Sequence, residues 1–242
     1  MKKLIITCII FTMSLSVNAQ SWWSNKKVRG NGNVTTETRR TSDYESIRVG
    51  GNFDVELVKG KEGRITIKGE ENLLRYIETE VKRGVLKIKI KKGVNLKMTR
   101  KMIVTVPYQD IEKVSLSGSG DLTSNGTIKA DVFSLSVAGS GNIKLNVEAN
   151  SLKSTIAGSG NIKLSGSADV LTCTIAGSGY INAYELKTKT TSAKIAGSGN
   201  IKTTVSDEIN AKVVGSGSIY YKGNPEKINS KSIGSGDIID RN

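Results

Sequence analysis

Ile156-Ala157-Gly158-Ser159-Gly160-Asn161-Ile162-Lys163 is one of several near-copies of a single octapeptide. Gly-Ser-Gly returns at Gly118–Gly120, Gly139–Gly141, Gly158–Gly160, Gly177–Gly179, Gly197–Gly199, Gly215–Gly217 and Gly234–Gly236, at nearly constant spacing. A fixed period of about 20 residues is the mark of a solenoid, in which each coil buries its apolar face on its neighbours. The residues just before the glycines repeat as Leu116, Val137, Ile156, Ile175, Ile195, Val213 and Ile233. Those two places after them repeat as Leu122, Ile143, Ile162, Ile181, Ile201, Ile219 and Ile238. Apolar and polar residues alternate on both sides, as in Ile162-Lys163-Leu164, so the flanks read as β-strands. The leucine and asparagine ladder of leucine-rich repeats is missing, and no helical period is present. The pattern predicts an all-β fold: a parallel β-helix-like solenoid with coils of about 19 residues.

Two geometries fit the Gly-Ser-Gly. Glycine admits positive φ, so each copy can be a tight bend stacked along one edge. Gly158 and Gly160 also share parity with Ile156 and Ile162, so a straight strand with inward glycines would pinch the coil there. Between copies lie turn compositions such as Thr123-Ser124-Asn125-Gly126 and Ser165-Gly166-Ser167-Ala168, followed by further short strands.

Working outward, residues 114–242 form the repeat solenoid. Residues 41–113 are predicted as irregular β coils that begin and cap the same continuous domain, 41–242. Lys87-Ile88-Lys89-Ile90-Lys91 alternates, with one wet and one buried face. Residues 72–79 are a short helix or a loop, and Val49-Gly50-Gly51-Asn52-Phe53-Asp54-Val55 reads as a degenerate repeat unit. The polar stretch 20–40 is expected to be a flexible leader. Residues 1–19 read as a signal peptide: Lys2 and Lys3, an apolar run from Leu4 to Val17, and Val17-Asn18-Ala19 before a cleavage point at Gln20. Cys8 lies inside the apolar run without a lipobox context. Past the signal no apolar segment is long enough to span a bilayer, so no transmembrane helix is expected.

The 242 residues carry 36 Lys+Arg, 22 Asp+Glu, no histidine and two prolines. Few prolines and many β-branched residues exclude disorder for most of the chain. After cleavage Cys173 is the one remaining cysteine, so no internal disulfide forms; in Leu171-Thr172-Cys173-Thr174-Ile175 it reads as a small strand residue. With no histidine beside it, it is not an activated nucleophile. The acids of the repeats are Asp121, Asp131, Glu148, Asp169, Glu185, Asp207, Glu208, Glu226 and Asp237. They stand at different repeat positions and are expected to scatter, whereas a glycosidase needs two carboxylates facing one sugar. The position after Gly-Ser-Gly holds Asp121, Asn142, Asn161, Tyr180, Asn200, Ser218 and Asp237, which reads as a structural side-chain ladder. No phosphate-loop or dinucleotide glycine motif precedes a helix. No catalytic, cofactor-binding or metal site is predicted, and no cofactor.

The positive excess is N-terminal: residues 21–113 hold 21 Lys+Arg against 12 Asp+Glu, and residues 114–242 hold 13 against 10. It concentrates at Lys82–Lys101. Lysines there protect edge strands and aid solubility, and they would also attract an anionic envelope surface or an acidic polysaccharide. Nucleic acid is not an expected partner, because no aromatics interleave the basic run.

Tyr44-Glu45-Ser46-Ile47-Arg48-Val49-Gly50-Gly51-Asn52-Phe53-Asp54-Val55, then Gly69-Glu70-Glu71-Asn72-Leu73-Leu74, then serial Gly-Ser-Gly-Asn-Ile-Lys, resembles the head GIN domain family of autotransporter adhesins over about residues 43–236. The resemblance implies an all-β solenoid at the cell surface or in the periplasm, and suggests adhesion. It carries over no functional residues, and no translocating barrel is expected within the chain. The expected function is an exported, non-enzymatic, envelope-associated or adhesin-like binding module, either periplasmic, outer-membrane-associated, or at the cell surface or secreted. The alternatives are a secreted carbohydrate-active enzyme, marked by a groove with converging carboxylates, and a purely structural envelope protein.

Overall fold

A computed structural model of the protein describes residues 26–242; the signal and cleavage expectations lie outside the described residues. The solenoid is built from five long strands, each running from one Gly-Ser-Gly to the next: β11 (Asp121–Gly139), β12 (Asn142–Gly158), β13 (Asn161–Gly177), β14 (Tyr180–Gly197) and β15 (Asn200–Gly215). They pair in parallel in that order, with β10 (Lys113–Gly118) before them and β16 (Ser218–Lys222), β17 (Lys227–Ile233) and β18 (Ile238–Asp240) after them.

Coils of equal length stack without a slip: β12 pairs with β13 from Asn142↔Asn161 to Gly158↔Gly177 with no register shift. Longer or shorter coils absorb the difference as bulges away from the glycines, between Thr123 and Thr127 in β11 and between Ala183 and Lys187 in β14. The core is therefore a set of columns. One is Leu116, Val137, Ile156, Ile175, Ile195 and Val213; another is Leu122, Ile143, Ile162, Ile181, Ile201 and Ile219, all buried. Cys173 is buried in a third, between Ser154 and Ala193. Ile233 leaves the first column. Ser232 sits opposite Val213, and Ile233 faces the exposed Val214 at 50% exposure. Ile233 directly precedes Gly234, as Val214 precedes Gly215, so it takes the outward parity.

The Gly-Ser-Gly is the bend rather than a straight strand, and its two glycines serve that bend differently. Gly158 adopts φ +125° and the strand breaks there, so the first glycine makes the bend. Gly160 is buried, and a Cβ on it would run into the Gly141 carbonyl and come within 2.5 Å of Val137 Cγ1, so the second makes the pinch. The ladder after it is also present. Asn161 Nδ2 donates to Asn142 Oδ1 at 2.7 Å, and Asn142 Nδ2 to Asp121 Oδ1 at 2.8 Å.

The first coil is the degenerate repeat. β3 (Ser46–Gly51) pairs in parallel with β10, placing Gly51 opposite Gly118, and β4 (Asp54–Lys59) pairs with β11. Around it the expected irregular coils give way to antiparallel ribbons. β6 (Ile77–Lys82) runs antiparallel to β7 (Val85–Ile90), which pairs with β3. On the other wall β5 (Arg64–Glu70) runs antiparallel to β9 (Ile103–Tyr108). These ribbons occupy the parallel edge that an open solenoid would expose. The helix is a single turn, α1 (Glu71–Leu74), and Ile77 onward is strand.

The leader expectation is corrected over residues 26–40. β1 (Lys26–Arg29) pairs with β8 (Val94–Lys97), and β2 (Val34–Arg40) pairs with β5. Glu70 supplies the reason. Its buried carboxylate accepts from Gly32 N at 2.7 Å, Thr99 Oγ1 at 2.6 Å, Thr99 N at 2.8 Å and Arg100 N at 3.2 Å, so one side chain ties the β1–β2 turn to the loop after β8. Burial alone would raise its pKa. The four hydrogen bonds outweigh that and lower it from 4.5 to about 2.

Candidate functional site

Midway along the long strands, opposite the Gly-Ser-Gly edge, the coils bend and a groove of about 1030 Å³ runs parallel to the solenoid axis. Its floor is the register column Ala130, Ala149, Ala168, Thr188 and Val205. Neighbouring coils are about 4.8 Å apart, so five of them make a groove roughly 20 Å long. One rim carries Lys129, Glu148, Ser167 and Lys187; the other carries Asp131, Asn150, Asp169 and Lys189.

The groove corrects the expectation that the repeat acids scatter. Asp131, Glu148 and Asp169 all line it. The bulge in β11 is the reason: Asp131 lies further past Gly118 than Asp169 lies past Gly158, yet the slip brings them onto one rim. Each acid is held by a neighbouring coil. Glu148 pairs with Lys129 at 2.7 Å, Asp169 with Lys189 at 3.0 Å, and Asp131 accepts from Asn150 Nδ2 at 2.5 Å. The Asp169 contact raises the Lys189 pKa. The charges of Lys129 and Glu148 thus cancel, as do those of Asp169 and Lys189. The other acids do fall elsewhere: Glu185 pairs with Lys163, and Asp121 is in the ladder. Among the described residues no group of three His, Cys, Asp or Glu is placed to hold a metal ion.

The basic N-terminal strand is less positive than its sequence. Lys89 pairs with Glu78 at 3.2 Å, and Lys87 stands opposite Glu80. Cys173 is sealed in the core, and burial pushes its thiol up to about 12.

A second concavity, about 560 Å³, escaped the sequence reading. It lies at the C-terminal end and is lined by Tyr180, Tyr184, Asn200, Lys202, Tyr220, Lys222 and Arg241. Lys202 Nζ stands 5.3, 5.5 and 5.9 Å from the ring centres of Tyr180, Tyr184 and Tyr220. Lys222 stands 4.9 Å from Tyr184, and the Arg241 guanidinium 5.2 Å from Tyr220. A hydrogen bond to Tyr180 raises the Lys202 pKa. Burial raises that of Tyr184, against the pull of Lys202 and Arg241. The signal was present in the repeat. Tyr180 stands where Asn142 and Asn161 stand in earlier coils, and Tyr220 stands opposite Lys202 in the lysine column.

The fold and its grooved outer wall define a parallel β-solenoid that displays side-chain columns on a rigid stack. The chain belongs to the family described as "Putative auto-transporter adhesin, head GIN domain", whose model matches residues 43–225. Among solved structures it is similar to a putative adhesin of Bacteroides fragilis NCTC 9343, with TM-score 0.84, 24% identity, and 88% of this chain and 100% of that chain covered. It is also similar to a putative lipid binding protein of Parabacteroides distasonis ATCC 8503, with TM-score 0.75, 30% identity and coverage of 90% and 100%. A putative adhesin of Parabacteroides merdae ATCC 43184 gives 0.70, 25%, 90% and 100%. No curated protein matches the chain.

Proposed function

We propose that the protein is an exported, non-catalytic, adhesin-like module of the cell envelope, and that the axial groove holds its ligand. The observation that carries this reading is the groove itself: one continuous trough across five coils, with ion pairs between coils on its rims. A trough of that length suits an extended ligand lying along the axis, and a stacked scaffold holds it without rearrangement. Family membership and the signal-like residues 1–19 support an address outside the cytoplasm. The similarity to a protein described as lipid binding adds lipids to the ligands worth testing.

The test is an array of envelope polysaccharides and lipids probed with the mature protein and with Ala149→Trp, which fills the trough at its centre. Retention of one component by the wild type, reduced at least about tenfold in the variant at unchanged melting temperature, is the expected result. Equal retention by both proteins would remove the groove from the account.

A second reading has one observation in its favour. Three carboxylates line the groove, as a carbohydrate-active enzyme requires. Against it, all three are exposed and each is held by a lysine or an amide, whereas a general acid for neutral pH is made by burying a carboxyl.

A further inference from the structure

The groove is close to charge-balanced, and the basic N-terminal strand faces glutamates. The C-terminal concavity is different: its lining holds three cations and no carboxylate. We propose that Tyr180, Tyr184, Tyr220, Lys202, Lys222 and Arg241 form a binding site for an anionic saccharide, a sugar chain that carries carboxylate, sulfate or phosphate groups.

The chemistry follows from the arrangement. Lys202 sits among three rings, which gather around its ammonium before any ligand arrives. Lys222 and Arg241 are each placed over one of the same rings, which spaces three positive charges around one hollow. A guanidinium offers a planar fork that matches carboxylate, sulfate or phosphate oxygens. Tyrosine presents an apolar body with a polar tip, suited to the mixed C–H and hydroxyl surface of a sugar ring. The volume, about 560 Å³, falls within the range of about 300–1,000 Å³ usual for small-ligand sites.

The scaffold explains the precision. Tyr180 and Tyr184 lie on β14, Lys202 on β15, Tyr220 and Lys222 on β16, and the Arg241 N–H donates to the Tyr221 carbonyl at 2.9 Å. Coils in register set Tyr180, Lys202 and Tyr220 at fixed separations, and Tyr184 stands in the β14 bulge beside them. Lys202 stands in the register column of Lys144, Lys163 and Asn182, in which Lys163 is paired with Glu185 and Asn182 carries no charge. A lipid surface fits less well. Membrane binding grows with the apolar area inserted, and none of the exposed large hydrophobics belongs to this cluster.

This site deepens the binding-module reading and rests on it only for the ligand's envelope origin. The experiment is titration calorimetry of the mature protein with oligogalacturonate, with sulfated dextran oligomers, with neutral dextran oligomers, with phosphatidylglycerol–phosphatidylcholine vesicles and with an oligothymidylate. The two anionic sugars distinguish carboxylate from sulfate recognition. At least one should bind, more weakly as salt rises, with neutral dextran failing. Lys202→Gln combined with Lys222→Gln, and separately Tyr220→Ala, should each weaken that binding by about tenfold or more. Tyr220→Phe, which keeps the ring, should retain it, and melting temperatures of all variants should match the wild type. Four results would overturn the site: neither anionic sugar bound above the neutral one; binding indifferent to Tyr220→Ala; vesicles preferred; or the oligothymidylate preferred. A wild type retained on the envelope array that ignores these substitutions would sink this site while leaving the groove reading intact. Binding to the anionic sugars with no retention on the array would do the reverse.

Discussion

Gly160 lies over Gly141 in the neighbouring coil so closely that the Gly141 carbonyl occupies the place a Cβ of Gly160 would take. The Asn161 N–H donates to that same carbonyl at 3.1 Å, so the contact is also part of the ladder of backbone hydrogen bonds. The glycines of the array are thus required by the stacking of one coil on the next.

Gly160→Val should lower stability by roughly 1–3 kcal/mol or more, since bulk at a close-packed position forces the backbone apart. Ser159 is exposed and uses its N–H, bonded to the Gly139 carbonyl at 2.9 Å, so Ser159→Ala should cost less. Hydrogen exchange should show lost protection centred on the coils at Gly141 and Gly179. Unchanged exchange and melting in Gly160→Val would refute the stacking role.

Glu70 should give the protein an acid limb. Its folded pKa, about 2, lies below its ordinary 4.5, so its contribution is complete above about pH 4.5 and is lost as pH falls from there toward 2. Glu70→Gln should flatten that limb in a melting-temperature series. At neutral pH it should cost about 1–3 kcal/mol, because an amide cannot accept from all four donors. Proteolysis at neutral pH should then cut first within residues 26–40.

Cys173, buried and with its thiol pushed up to about 12, should not react with a thiol reagent at pH 8 in the folded protein. Its labelling rate in denaturant should follow global unfolding. Rapid labelling of the native protein would contradict the packed third column.

The ordering of residues 1–19 predicts cleavage after Ala19. Mass spectrometry of protein from its native host should find a chain beginning at Gln20; one beginning at Met1 would contradict export by this route.

The solenoid was legible because its two periods lie on the surface of the sequence. Ile156 and Ile162 share parity across Gly158–Gly160, and the same pair recurs as Ile175 and Ile181 one coil later. The ladder through Asp121, Asn142 and Asn161 was legible for the same reason. The order of residues 26–40 was not. β1 and β2 bury no residue fully, and they are held by partners distant in the chain, with Glu70 as the joint. The groove was hidden by bulges, which put Asp131 and Asp169 on one rim although their distances from the preceding glycines differ. The tyrosine cluster shows where a repeat is informative by its departures. Tyr180 stands where earlier coils have asparagine, and Tyr220 stands in the column of Lys144, Lys163 and Lys202.

Binding without chemistry is the centre of the account, and one measurement addresses it directly. The mature protein is incubated with each polysaccharide it retains, and bound sugar and newly released chain ends are followed together over a day. The account predicts saturable binding with no release of chain ends above a protein-free control. Steady release that disappears in Glu148→Gln, Asp131→Asn or Asp169→Asn, with binding retained, would contradict it and make the groove an active site.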